Sequence, residues 1–187
     1  IFTGFGSRVT QFCRGESVLR GFDSEVTTLV ADQMMSNGVD LQYGVNVLKI
    51  DKLENSFSVA DSYGREQDFD QILFATGRVP NSYGLLNASV GLSVGEKGEV
   101  IVNKYSQSSI NSIYAIGDLT DRKQLTPIAI KEAMAFVQTA FFNKPTCLDY
   151  SSIPTAIFTK PEMGTVGLSE EVAAERGPVD IYTTYFK

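Results

Sequence analysis

Two arginines bracket a glycine-bearing turn in Cys13-Arg14-Gly15-Glu16-Ser17-Val18-Leu19-Arg20-Gly21-Phe22-Asp23. The residues before them, Arg8-Val9-Thr10-Gln11-Phe12-Cys13, are rich in β-branched and aromatic types and have the length of a buried strand, so both arginines fall just past a strand end. In a βαβ nucleotide-binding unit the end of the second strand faces the adenosine ribose, and an acidic residue there accepts from the 2′-hydroxyl of NAD. Cys13 holds that position. A neutral residue flanked by forked guanidinium donors removes repulsion toward a 2′-phosphate and can match its oxygens, which favours NADPH over NADH. Spacing by itself is weak: arginines beside a turn are also served by solvent, or by Glu16 and Asp23, and taken alone that plainer reading is the stronger.

Two further runs, Ala75-Thr76-Gly77-Arg78-Val79-Pro80-Asn81 and Ile113-Tyr114-Ala115-Ile116-Gly117-Asp118, end strand-like stretches on glycine. A glycine there lets a bound nucleotide approach the backbone closely. Asp118 at such an end could accept from a ribose or ribityl hydroxyl, since an ionised carboxylate is acceptor-only, although an Asp in a βα turn is more often a helix cap.

The elements that must hold these residues can be read from periodicity. Ile1-Phe2-Thr3-Gly4-Phe5-Gly6 has the glycines of a helix that is ending. From Asp23 to Asn37 the apolar residues Val26, Leu29, Val30, Ala31 and Met34 recur at helical spacing, with Asp23 or Ser24 as N-cap and Gly38 past the end. Strand-like runs at Val39–Tyr43, Val45–Ile50 and Phe57–Ala60 suggest a small antiparallel insert, with a turn at Asp61-Ser62-Tyr63-Gly64. Gln71–Ala75 is nearly all apolar, as in a strand buried on both faces.

After Pro80 the chain turns Gly- and Ser-rich, marking a domain boundary, and strands are expected at Val100–Val102 and Ile113–Ile116. Thr126-Pro127 should open a long helix to about Asn143, with Thr as N-cap and Pro at the first helical position. A strand at Thr155–Phe158 and a short helix from near Ser169 follow. The fold class is α/β.

Composition narrows the function. With 187 residues and 43% apolar content there is material for one core or parts of two. The balance of 16 basic and 22 acidic side chains, net −6, argues against nucleic acid as a partner. No apolar run approaches the ~20 residues of a membrane span, and no signal-like segment opens the chain, so a cytoplasmic location is expected. With two cysteines, Cys13 and Cys147, and no histidine, neither a disulfide framework nor a zinc site is encoded, and the commonest acid/base group is missing. That absence, and an opening Ile1 where Met would start a gene product, suggest an excerpt of a longer protein; a processed N-terminus would explain the second equally well.

From Ile1 to Lys187 the sequence resembles the flavoprotein disulfide reductases, on their glutathione reductase branch. Five segments carry the likeness, in order and at family spacing: Leu19–Asp23, Ala75–Asn81, Ile113–Asp118, Leu125-Thr126-Pro127-Ile128-Ala129-Ile130, and Ile153–Leu168 with its Gly164-Thr165-Val166-Gly167-Leu168. The resemblance implies partial FAD- and NADPH-binding Rossmann-like domains and the start of an α+β interface domain. Residues 1–80 would end the NADPH domain, 81–150 would form the second part of the FAD domain, and 151–187 would begin a homodimer interface. It assigns Arg14 and Arg20 to the NADPH 2′-phosphate, with Gly77 beside the same cofactor. It also puts Asp118 on the FAD ribityl chain and the Thr126 backbone on the flavin ring, and turns the Gln124 and Ala156 carbonyls to the nicotinamide amide. The helix opening at Thr126 would bring its positive end to the flavin pyrimidine edge.

The family's redox-active disulfide, its first FAD glycine motif, its NADPH glycine loop and its His-Glu pair all fall outside the chain. Cys13 and Cys147 match neither redox cysteine, so no catalytic residue is expected here, and the fragment alone should be inactive. The implied reaction is NADPH-driven reduction of glutathione disulfide. Trypanothione reductase, large thioredoxin reductase and dihydrolipoamide dehydrogenase are the rivals. The last is disfavoured because it uses NAD and should carry an acid at Cys13; Gly164–Leu168 tilts the choice to glutathione. A self-standing nucleotide-binding or interaction module is the alternative of another kind, disfavoured because truncated nucleotide domains leave sheet edges and apolar faces uncovered.

Overall fold

A computed structural model describes residues 1–85 and 90–185. They form two compact units: Ile1–Leu73 together with the residues from Ser151 onward, and Phe74–Tyr150.

The first unit is built on a βαβ step. Strand β1 (Val9–Cys13) pairs in parallel with β2 (Val39–Tyr43), in the register Val9↔Val39 to Cys13↔Tyr43. Helix α1 (Ser24–Ser36) makes the crossover that a parallel pair requires. Asp23 caps it by accepting from the Glu25 N–H at 3.1 Å, and Gly38 follows its end at φ +89°, where a side chain would be strained. Thr27, Val30 and Ala31 are its buried face, while Val26 and Leu29 stay exposed. The expected helix end at the start of the chain is a single 3₁₀ turn, Thr3–Phe5, closed by Gly6 at φ +91°.

The antiparallel insert differs from expectation at both edges. Val39–Tyr43 belongs to the parallel pair, because a helical crossover returns the chain in the direction it left. The insert is instead β3 (Val47–Lys52), β4 (Phe57–Asp61) and β5 (Glu66–Phe69), in that order. Strand β5 was hidden by its polar sequence, Glu66-Gln67-Asp68-Phe69. Asp61 organises the β4–β5 turn from a buried position: it accepts from the Tyr63 and Arg65 N–H groups at 2.8 and 3.0 Å and pairs with the Arg65 guanidinium at 2.7 Å. Burial pushes its carboxyl upward, but these donors outweigh burial and hold it below the usual carboxylate range.

Gln71–Ala75 is not a strand. It pairs with neither β1 nor β2, and Leu73 and Phe74 are 72% and 68% exposed. A doubly buried strand exists only with neighbours on both sides, and the parallel sheet of the described residues has two strands.

The last part of this unit holds β6 (Thr155–Ile157) paired antiparallel with β7 (Met163–Thr165), then α3 (Glu170–Ala174) capped by Ser169. Helices α1 and α3 cap each other. The Glu170 N–H donates to Asp23 Oδ2, and the Ser24 N–H donates to Glu171 Oε1, each at 3.2 Å. Hydrogen bonds from Ser24, then from its own amide and Ser169, hold the Glu171 carboxyl down to about 2.

An unfolded Glu titrates near ~4.3, so the stabilisation from this depressed value is fully present above that pH and is lost as pH falls through about 2. In the full-length protein, Glu171→Gln should therefore lower the melting temperature above pH 5, with the difference from wild type closing between pH ~4 and ~2. A gap that widens on acidification would contradict the assignment.

In the Phe74–Tyr150 unit the strands expected at Val100–Val102 and Ile113–Ile116 reduce to single bridges, Val94↔Val100 and Gln107↔Tyr114. Side chains between them take the backbone donors a ladder would use: Asn103 Oδ1 accepts from the Tyr105 and Gln107 N–H groups, and Ser108 Oγ from that of Ile110. Helix α2 (Thr126–Phe141) stops two residues short of expectation. Thr126 is its first helical residue, not its cap; Leu125 stands at the N-cap and offers no side-chain acceptor.

Candidate functional site

The loop leaving β1 is tied to the loop leaving β2. The Val45 N–H donates to the Cys13 carbonyl at 3.1 Å and the Gly44 N–H to that of Gly15 at 3.2 Å. Buried Val18 anchors the arginine loop from below. Beyond it the chain reverses sharply, with Leu19 at φ +56° and Gly21 at φ +86°. Leu19 is in the left-handed region, which costs a non-glycine residue about 1–2 kcal/mol and so requires the surrounding loop to impose it. The reversal folds Arg20 back over Gly15, where Nη2 would lie 3.7 Å from a Cβ added to that glycine. Arg20 is thus brought back to the glycine that follows Arg14, just past the end of β1. Among the described residues neither forms an ion pair, because Asp23 is committed to capping both helices and Glu16 pairs with nothing. Two exposed, uncompensated guanidiniums at one turn suit a dianionic phosphate. Cys13, in register with Tyr43, presents no charge that would repel one.

Ala156 lies apart from these arginines in sequence but in the same unit. It is an exposed residue of β6 opposite Gly164 of β7, beside Pro154, Thr165 and Val166 in a shallow surface groove.

The Phe74–Tyr150 unit gathers Gly77, Asp118 and Gln124 around Arg78. The Arg78 Nη2 donates to the Gln124 carbonyl at 3.1 Å and its Nε to Gln124 Oε1 at 3.3 Å, while Nη1 pairs with Asp118 at 3.3 Å. Gly77, at φ +115°, is exposed beside it. The signal for Arg78 in the sequence is a basic side chain directly after the glycine of the Ala75–Asn81 run. The Asp118 side chain is half exposed, with Arg78 as its partner on one side. It rides on a 3₁₀ turn, Gly117–Thr120, whose first residue has φ +65°.

Thr126 opens α2 without a cap, so the helix presents its positive end, with the Thr126 N–H unclaimed among the described residues. An uncapped end of a 16-residue helix and a half-exposed acceptor eight residues before it fit a ligand with hydroxyls and an electron-accepting edge.

Beneath that turn lies a cluster the sequence reading missed. Glu132 of α2 is buried at 2% exposure and accepts from the Gly117 N–H at 2.6 Å, from Arg122 at 3.1 Å and from the Tyr150 hydroxyl. Burial and this bond push Tyr150 up to about 12. The available signal was a charged residue four after Ile128, on the same helix face as an apolar residue that is also buried. Cys13 is half-buried, Cys147 is exposed, and neither is bonded to the other. No group of the described residues could hold a metal ion, and no described helix is long and apolar enough to cross a membrane.

A parallel βαβ step with basic residues at its first strand end has the arrangement of a dinucleotide-binding unit. The chain belongs to the pyridine nucleotide-disulphide oxidoreductase family, whose profile matches residues 1–133, and residues 153–187 match the dimerisation domain of the same family. It is 39% identical to a glutathione reductase of Burkholderia cepacia and 44% identical to the chloroplastic/mitochondrial glutathione reductase of Pisum sativum, with all of this chain aligned in each case. Trypanothione reductase of Leishmania donovani is 40% identical, again over the whole chain. The chain spans 42%, 34% and 39% of the length of these three relatives. Among solved structures, the HOCl-induced flavoprotein disulfide reductase RclA from Escherichia coli, in its Cu(II) complex, superposes with a TM-score of 0.88 at 28% identity, covering 94% of this chain and 41% of that one.

Proposed function

We propose that this chain supplies nucleotide-binding parts of a homodimeric, cytoplasmic enzyme that uses NADPH to reduce glutathione disulfide. In this reading residues 1–80 complete the NADPH domain, 81–150 form the second part of the FAD domain, and 151–187 begin the dimer interface. FAD, when bound, would supply the redox chemistry that links NADPH to a protein disulfide elsewhere in the polypeptide.

Within the chain, Arg14 and Arg20 hold the 2′-phosphate and Gly77 gives the same cofactor close access. Asp118 accepts from a ribityl hydroxyl, Thr126 offers its N–H to the flavin ring, and the Gln124 and Ala156 carbonyls accept from the nicotinamide amide. The Gln124 carbonyl already accepts from Arg78, so a second donor would use its remaining lone pair.

The observation that carries the reading is the pair of uncompensated guanidiniums beside a neutral Cys13, at the point where an NAD enzyme needs a carboxylate. The glutathione reductase relatives support the choice of substrate; the trypanothione reductase relative keeps one competitor in view. The test is a steady-state comparison on the full-length protein. NADPH oxidation is expected with glutathione disulfide and at most a trace with trypanothione disulfide, and NADH should be used far less efficiently. Preference for trypanothione disulfide or for NADH would reverse the assignment.

A further inference from the structure

Glu132 is a carboxylate placed at large desolvation cost, and its three donors show where that cost is recovered. Oε2 takes the N–H of Gly117, the first residue of the 3₁₀ turn that carries Asp118. Oε1 takes Arg122, whose Nε donates to Thr120 Oγ1 at 3.2 Å. Thr120 Oγ1 in turn donates to the Gly117 carbonyl at 2.9 Å and closes the turn on itself. One carboxylate therefore grips both ends of a four-residue turn: its first residue directly and its last through Arg122. Asp118, between the two grips, is left with its side chain facing outward, half exposed beside Arg78. An ion pair with Arg122 alone would neutralise the buried charge. The Gly117 contact does something further, because it fixes the Ile116–Gly117 peptide at the start of the turn, while Thr120 holds the carbonyl of the next peptide, the one that leads into Asp118.

We propose that Glu132 is a positioning residue for Asp118, holding the Gly117–Thr120 turn so that the Asp118 carboxylate meets a flavin ribityl hydroxyl. This rests on the role given to Asp118 in the proposed function. Glu132 touches no ligand itself.

The test is FAD binding to the full-length apoprotein, followed by flavin fluorescence, for wild type, Glu132→Gln, Asp118→Ala and the double variant. A glutamine amide has one acceptor where the carboxylate has two, so its NH₂ opposes either Gly117 or the Arg122–Tyr150 side and one grip opens. Glu132→Gln is expected to weaken FAD about tenfold, the scale of one lost hydrogen bond to a charged group. In the Asp118→Ala background it should add no more than about twofold, because both changes act through one group. Flavin-saturated Glu132→Gln should keep its KM for NADPH, which a general loss of packing would not spare. Arg122→Lys, which puts one nitrogen in place of the two that serve Thr120 and Glu132, loosens the outer grip alone should Glu132→Gln fail to fold. It is expected to weaken FAD about threefold, again only when Asp118 is present.

Additive losses, or a lowered melting temperature with FAD affinity unaltered, would overturn the inference. Normal FAD affinity in Asp118→Ala would remove both the Asp118 assignment and this inference. Loss in Asp118→Ala with none in Glu132→Gln would remove the inference alone.

Discussion

Replacing Arg14 and Arg20 together by glutamine in the full-length enzyme should raise the KM for NADPH about 100-fold while changing that for NADH by no more than about twofold. Each guanidinium can make charge-assisted hydrogen bonds to a phosphate worth about 1.5–3 kcal/mol, and solvent exposure brings each to the lower end. A loss of about 1.4 kcal/mol per arginine is tenfold, and the two multiply if they act independently. NADH lacks the 2′-phosphate, so it has nothing to lose. Steady-state kinetics with both cofactors read the result directly, and equal penalties for NADPH and NADH would mean that the arginines support the loop instead of gripping a phosphate. Because neither side chain has an ion-pair partner to forfeit among the described residues, the folded protein should keep its melting temperature, which separates this variant from a damaged one.

Gly117→Val should have the largest effect on stability. The residue is buried at φ +65°, a conformation that costs an L residue about 1–2 kcal/mol, and more when β-branched. A Cβ there would lie 3.2 Å from Ala129 Cβ on α2, and the two Cγ atoms of valine add overpacking of about 1–3 kcal/mol. Together these should lower the melting transition by several degrees and release flavin, since the turn carrying Asp118 is displaced. Ala129→Gly in the same chain removes the steric part but not the backbone part. Partial recovery of the melting temperature is therefore expected; full recovery would show that the left-handed conformation is not strained, and no recovery that contact with α2 is irrelevant.

What could be read beforehand follows from how local each signal is. Helix α1 was legible because its cap, its apolar spacing and its terminal glycine all lie within sixteen residues, Asp23 to Gly38. Strand β1 was legible from its β-branched and aromatic composition, and the helix after Leu125 from its early proline, although its cap was not where Thr126 suggested. Pairing was not legible. Val39–Tyr43 has the composition of either sheet, and only the crossover through α1 decides which one it joins. Gln71–Ala75 has the composition of a buried strand, yet burial belongs to neighbouring strands and cannot be read from four apolar residues in a row. Glu66–Phe69 shows the reverse: a polar segment becomes a strand because β4 offers it a ladder.

At the site, glycine and acidic residues at strand ends pointed to Gly77, Gly117 and Asp118. Glu132 escaped because its partners lie 10 to 18 positions away on other elements, and a lone glutamate on a helix is ordinarily solvated.

The carboxylate of Asp23 serves two helix ends, one its own and one at Glu170, 147 positions further along the chain. A ribosome adding ~5–20 residues per second delivers Glu170 on the order of ten seconds after Asp23. During that interval Asp23 has its own helix to cap through Glu25, so the crossover helix is not left open while the nascent chain lengthens. Glu170 and Glu171 then arrive as latecomers to a site already built, and their docking closes a long loop at an entropic cost that grows only logarithmically with the residues between.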